Sequence, residues 1–327
     1  MNHSTSPSAT GAPFDGKRFG NASGRGPHGS LDALRWMLTR HRTPWPKTVL
    51  DPPAPRPLDR VADGSIRATL IGHATVLIQL AGINILTDPI WSHCAGPTSW
   101  LGVKRVRPPA IAFADVPAID VVLLSHNHYD HLDRPTLAAL AKRDDPLIVT
   151  GLKVARSVPS RRTVELDWWD SHALGPEVRA TYVPAEHFSA RGAFDRNASL
   201  WGGFVLETPA GTIYFAGDTG DGTHFAAIRA RFGPMALSFI PIGAYQPRWF
   251  MAPVHMNPAE AVAASRTVAS AVTLPIHFGV FPLADDAFDA PTIGLAAALA
   301  AIEAAGISLD FRLPPFGQPV VIEVTDR

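Results

Sequence analysis

The 327-residue sequence predicts an α/β fold in which two mixed β-sheets lie face to face between helical layers. Three observations lead there. Short runs of β-branched and apolar residues recur along most of the chain, and helix-like segments stand before, between and after them. No sequence repeat suggests a solenoid or a propeller. Hydrophobic residues make up 46% of the chain and charged residues 18%, enough apolar side chains for a large core and too few charges for extended disorder.

Residues 1–29 are rich in Ser, Gly, Asn and Pro, and residues 43–57 carry six prolines, so both predict irregular or extended backbone. Between them Ser30 is expected to cap a short helix reaching about Arg40, with Leu31, Leu34 and Leu38 on one stripe. This arm, residues 1–60, is expected to wrap a catalytic domain spanning residues 61–327. Residues 68–80 and 83–90 predict a hairpin across Gly82, and residues 121–124 a buried strand. Residues 134–142 predict a helix, residues 147–150 and 178–184 strands, and residues 199–207 and 212–216 a pair joined by Pro209-Ala210-Gly211. Residues 237–242 and 272–277 are again strand-like. Asn257, Pro258 and Glu260 supply the cap, first-turn proline and capping-box acid of a helix, and an Ala-rich helix over residues 291–305 stops at Gly306. The halves at about residues 66–191 and 192–327 are each expected to end a set of strands in metal-ligand chemistry, with the site between them.

Lys+Arg and Asp+Glu both number 29, which leaves no basic field for a nucleic-acid backbone and excludes nucleic acid as a main partner. Cys94 is the only cysteine, so neither an intrachain disulfide nor a thiolate-rich zinc site is available. Residues 1–29 lack an apolar run of signal-peptide length, and no long apolar stretch follows, so the chain is expected in the cytoplasm, at most peripheral on the inner membrane face.

The chemistry is concentrated in Ser125-His126-Asn127-His128-Tyr129-Asp130-His131, between a predicted strand and a predicted helix. In extended backbone His126, His128 and Asp130 point to one side, and the turn into the helix brings His131 round. Imidazole and carboxylate together suit zinc and other first-row divalent ions, whereas calcium or magnesium calls for oxygen donors. His187, Asp218 and His277 each follow a predicted strand and extend the set.

His126 through His131, then His187, Asp218 and His277 in that order, resemble the binuclear motif of the metallo-β-lactamase-fold hydrolases. Further blocks narrow the resemblance to the N-acylphosphatidylethanolamine-hydrolysing phospholipases D. They are Ile71-Gly72-His73-Ala74-Thr75-Val76, Leu86-Thr87-Asp88-Pro89-Ile90, Glu165-Leu166-Asp167-Trp168-Trp169, Phe215-Ala216-Gly217-Asp218-Thr219-Gly220, and Ile240-Pro241-Ile242-Gly243-Ala244-Tyr245 continuing to Arg248-Trp249-Phe250-Met251. The resemblance implies an αββα sandwich and two zinc ions, with manganese or iron as alternatives. It places His126, His128 and His187 on one ion, Asp130, His131 and His277 on the other, and Asp218 between them. Such a pair supplies an activated water and holds phosphoryl oxygens, and its residual positive charge draws an anionic phosphodiester into the cleft. The implied activity is hydrolysis of N-acylphosphatidylethanolamine-type glycerophospholipids to N-acylethanolamine and phosphatidic acid. Contact with a membrane surface and a homodimer are both open to such an enzyme. The rival readings keep the metals but change the substrate to a soluble phosphorylated sugar, lactone or small ester, or remove turnover and leave a metal-binding scaffold.

Asp130, Asp218, His255 and Tyr129 are the catalytic candidates. His255 and His73 are placed to orient phosphate or pass a proton, or else are buried, hydrogen-bonded histidines. The Tyr129 hydroxyl is a donor inside the metal loop, with a packed ring as the alternative. Asp88 is expected to fix a histidine tautomer. Tyr245, Trp249, Phe250 and Met251, beside Arg248, read either as a lipid-facing rim or as core.

Overall fold

The computed structural model describes residues 11–192 and 194–323, so the expectations for residues 1–10 and for the last four residues lie outside it. After helix α1 (Ser30–Thr39) come β1 (Ile66–Gly72), β2 (Thr75–Leu80), β3 (Ile83–Thr87), the short pair β4 (Cys94–Ala95) and β5 (Val103–Lys104), β6 (Val121–Leu124), α2 (Arg134–Arg143), β7 (Leu147–Gly151) and β8 (Thr163–Leu166). Then follow β9 (Ser171–Ala173), β10 (Arg179–Val183), β11 (Gly203–Thr208), β12 (Gly211–Phe215), α3 (His224–Phe232), β13 (Leu237–Pro241), α4 (Arg248–Met251), α5 (Pro258–Thr267), β14 (Val272–Ile276), α6 (Ala290–Ala304) and β15 (Pro319–Ile322).

One sheet has seven strands in the order β15-β1-β2-β3-β6-β7-β8, the other six in the order β14-β13-β12-β11-β10-β9. The expected αββα sandwich is therefore present. Each sheet is antiparallel on one side and parallel on the other, with β3, β6, β7 and β8 parallel in the first and β12, β13 and β14 in the second. Strand period explains why these runs are apolar on both faces. In β6, Val121 and Leu123 join the core between the sheets, while Val122 and Leu124 face Leu137 and Leu140 of α2. Trp201 is fully buried in the inter-sheet core, its Nε1 donating to Asn21 Oδ1 at 2.8 Å and to the Ala185 carbonyl at 3.0 Å. Trp201→Ala should cost about 3–5 kcal/mol, read as a lowered urea midpoint at unchanged slope.

Several expectations are corrected. Residues 68–80 are not one strand: His73, at φ 52°, breaks the run into β1 and β2. The two halves do not coincide with the sheets, because β9 and β10 belong to the second sheet and β15 returns to pair with β1. Residues 199–202 are not strand but a crossing segment before β11. Strand β8 and helix α3 lacked a clear periodic signal and appear as additional elements. In α1, Ser30 is the first helical residue and not a cap, and the stripe of Leu31, Leu34 and Leu38 faces solvent while Trp36 packs inward. By contrast α5 has the predicted capping box, with Asn257 Oδ1 accepting from Glu260 N and Glu260 Oε2 accepting from Asn257 N. Among the described residues no helix is long and apolar enough to cross a membrane.

Candidate metal centre

The centre lies where the parallel strands of both sheets end. At the end of β6 the Ser125 amide donates to Asp88 Oδ1 at 2.8 Å and its hydroxyl to Asp88 Oδ2 at 2.6 Å, which turns the chain out of the sheet. Residues 126–131 then close a tight turn in which His128 O accepts from Leu132 N at 2.8 Å and His131 N at 3.2 Å. This single turn delivers His126, His128, Asp130 and His131 to one place.

The second sheet delivers the rest. His187 follows β10, and its peptide is gripped from the N-terminal arm: Asn21 Nδ2 donates to His187 O at 3.0 Å and Asn21 Oδ1 accepts from His187 N at 3.1 Å. Asp218 follows β12 after Gly217, where φ is 60° and an added Cβ would lie 2.7 Å from Ser125 Cβ, so glycine is required. His277 follows β14 at φ 61°, and its amide donates to His73 O at 2.9 Å. His73, Asp88 and His277 all hold positive φ without being glycine, a backbone cost of the kind that accumulates where side chains must be aimed.

The donors form two groups. His126 Nε2 lies 2.8 Å from His128 Nδ1, and His187 Nε2 lies 3.2 Å from the same atom. Asp130 Oδ2 lies 2.9 Å from His73 Nε2 and 3.3 Å from both His131 Nε2 and His277 Nε2. Asp218 Oδ2 stands between the groups, 3.1 Å from His277 Nε2, 3.2 Å from His131 Nε2 and 3.7 Å from His187 Nε2. His255 Nδ1 is 4.0 Å from the same oxygen.

Outer partners decide which nitrogens face inward. His131 Nδ1 donates to Asp88 Oδ2 at 2.7 Å, His187 Nδ1 to Val254 O at 2.9 Å, and His126 Nδ1 to the Ser125 hydroxyl at 2.9 Å. Each of these rings therefore turns its Nε2 toward the centre. Burial alone would raise Asp218 and Asp130, yet the adjoining histidines, His131 foremost, hold both carboxyls well below the usual range. Burial alone would lower His131 and His277, yet Asp218 and Asp130 hold His131 well above its usual range and push His277 up to about 9. Burial keeps His73, at about 3, and His128 and His255, at about 4, neutral. The two buried carboxylates thus draw positive charge to the centre, on His131 and His277 as protons or in their place as a bound cation, and Asp218 Oδ1 and His131 Nε2 have no hydrogen-bond partner. The donor set fits first-row divalent cations: His126, His128 and His187 form one ligand group, and His73, Asp130, His131 and His277 another.

The beta-lactamase superfamily domain matches residues 83–278 of this chain. The chain belongs to the beta-lactamase superfamily. The N-acyl-phosphatidylethanolamine-hydrolyzing phospholipase D 1 of Caenorhabditis elegans is 35% identical over 285 residues, 82% of this chain and 80% of that protein. An uncharacterized protein of Mycobacterium tuberculosis is 38% identical over 293 residues, covering 87% and 77%. Igni18, a metallo hydrolase from Ignicoccus hospitalis, superposes with a TM-score of 0.59 at 18% identity, over 80% of this chain and 100% of that one, which supports the fold. The expected resemblance, to the superfamily and within it to the phospholipases, is borne out. This superfamily chain carries the fold and the His/Asp donor cluster of metal-dependent hydrolases.

The seven residues proposed from sequence as ligands converge here, and the structure adds His73 to the second group. Of the two readings of Tyr129, the structure has the packed ring. Its hydroxyl donates to the Arg191 carbonyl at 2.7 Å beneath the Arg191 guanidinium, so it is turned to backbone and away from the carboxylates. Segment 245–251 divides: Tyr245 and Met251 are buried, Trp249 is 42% exposed, and Arg248 pairs with Glu260 at 2.8 Å. Sequence reasoning missed Asn21, and also Glu186, whose carboxylate accepts from the Ser23 hydroxyl. Asp88→Asn would set a donor opposite either the Ser125 amide, now on Oδ1, or His131 Nδ1, now on Oδ2. Metal affinity or turnover should fall about 10–100-fold with the fold retained, measured by metal titration and circular dichroism.

Proposed function

We propose that this protein is a binuclear, zinc-dependent phosphodiesterase that adds water to N-acylphosphatidylethanolamine-type glycerophospholipids and releases N-acylethanolamine and phosphatidic acid. One observation carries the reading: the Asp218 carboxylate stands between a three-imidazole group and a carboxylate-imidazole group at the ends of both sheets. In it His126, His128 and His187 would hold one cation and Asp130, His131 and His277 the other, with Asp218 available to both. Bound there, such ions supply water activation and neutralise charge developing on phosphoryl oxygens. The relative in Caenorhabditis elegans, a phospholipase D by name, supports the lipid substrate.

The chain's own groups have distinct tasks. Asp88, Ser125 and the Val254 carbonyl hold these imidazoles by Nδ1, so each Nε2 already faces the centre before substrate arrives. His255 is buried and neutral, with Nδ1 unpartnered at the edge of the centre. It can take a proton at that atom or offer a neutral hydrogen bond to a phosphate oxygen.

Mass spectrometry of products from N-acylphosphatidylethanolamine vesicles tests the reading. N-acylethanolamine and phosphatidic acid should appear together, stop when a chelator is added and return with zinc. Turnover of a lactone, sugar phosphate or soluble ester without turnover of this lipid would overturn it, as would no turnover of any of them by the metal-loaded chain.

A further inference from the structure

Helix α1 turns its leucines outward. Its inward side carries Ala33 and Trp36, with Arg40 following at the C-terminal cap. The Trp36 ring stacks on Phe250 at 5.0 Å, its Nε1 donates to Asp285 Oδ2 at 2.8 Å, and Arg40 Nε donates to Asp285 Oδ1 at 2.9 Å. These contacts fix the rotation of the helix. On the opposite side Leu31, Leu34, Met37 and Leu38 are 83%, 48%, 59% and 78% exposed. A contiguous outward stripe of four large apolar side chains is a surface awaiting an apolar partner.

The charges of the segment that carries the stripe say which partner. Arg25, Arg35, Arg42 and Lys47 are exposed, and across residues 25–47 the one acid is Asp32, whose carboxylate faces His28 Nδ1 at 3.3 Å. An isologous contact between two copies would bring these like charges together. An anionic bilayer meets both features, taking leucines at the acyl boundary and cations at the head groups. Position agrees: the Arg35 guanidinium lies 5.0 Å over the ring of Trp249 in α4, and four residues beyond α4 His255 reaches the metal centre.

We propose that α1 is the surface by which this protein docks on an anionic lipid bilayer, with Leu31, Leu34, Met37 and Leu38 inserted and Arg35 and Arg42 on lipid phosphates. The inference rests on the phospholipid reading of the centre and moves the main lipid contact from segment 245–251 to α1.

The test uses the full metal-loaded chain, sedimented with vesicles of phosphatidylcholine alone or mixed with phosphatidylglycerol. Wild type should bind the mixed vesicles more tightly and lose that preference in high salt. Leu31→Ser/Leu34→Ser/Leu38→Ser should lower binding at least about tenfold, yet hydrolyse the soluble diester bis(p-nitrophenyl) phosphate as wild type does. Arg35→Gln/Arg42→Gln should remove the preference for phosphatidylglycerol. Unchanged vesicle binding by the triple serine variant would overturn the proposal, as would a wild type that binds neither vesicle. A triple variant that instead converts a dimer to monomers at unchanged vesicle binding would reassign the face to a second copy. Binding is read without turnover, so a wild type that docks through α1 but cleaves no phospholipid would uphold this surface and overturn the phospholipase reading alone.

Discussion

Replacing His128 by alanine is expected to empty the three-imidazole group of metal and lower hydrolysis by more than about 100-fold, beyond the usual cost of losing an outer partner. His128 Nδ1 is the atom that both His126 Nε2 and His187 Nε2 approach, at 2.8 and 3.2 Å. Without it only two imidazoles remain in that group, and Asp218 Oδ2 lies 3.7 Å from His187 Nε2. The ring sits at the half-open edge of the centre, edge-on to Phe188 at 4.5 Å, so its removal should leave the core between the sheets intact. Elemental analysis together with the urea midpoint distinguishes metal loss from unfolding. Full activity in a demonstrably metal-free preparation would sink the metal assignment itself.

The legible and illegible parts of this molecule differ in how far apart the interacting residues are. Residues 126–131 are readable because strand period and one turn, both local, bring four donors together. Alternation likewise places Val121 and Leu123 on one face of β6 and Val122 and Leu124 on the other, because a strand covered on both faces leaves little else possible. The grip of Asn21 on the His187 peptide spans 166 residues and has no local signature. The left-handed backbone at His73, Asp88 and His277 is equally silent, since no glycine announces it. His73 was readable only as a polar residue near the strands, because its place beside Asp130 depends on the break between β1 and β2. In α1 helical period reveals the stripe of Leu31, Leu34 and Leu38 but not the way it faces, which Asp285, far along the chain, decides by drawing Trp36 and Arg40 inward. Tyr129 stays undecided in the sequence for a similar reason, since the distant Arg191 carbonyl takes its hydroxyl.

Asp218→Asn should leave the chain with about one tightly held metal ion in place of two and cut turnover by at least about 100-fold. The side chain keeps its shape, so the change is electrostatic. Asp218 Oδ2 lies 3.2 Å from His131 Nε2 and 3.1 Å from His277 Nε2, while its Oδ1 is buried without a partner. Asparagine removes one of the two carboxylates at the centre, and its amide, if turned inward, would set a donor where cations are to bind. Less of the mutual repulsion of two dications is then screened, and the weaker site should empty first. The first group keeps all three imidazoles, so it should be the one that retains metal. Loss at the second group is therefore the specific expectation, read by elemental analysis after exhaustive dialysis and by cobalt spectra, in which a remaining ion would show a three-imidazole environment. Two tightly held ions with unchanged turnover in this variant would remove Asp218 from between the groups and leave the two donor sets energetically independent.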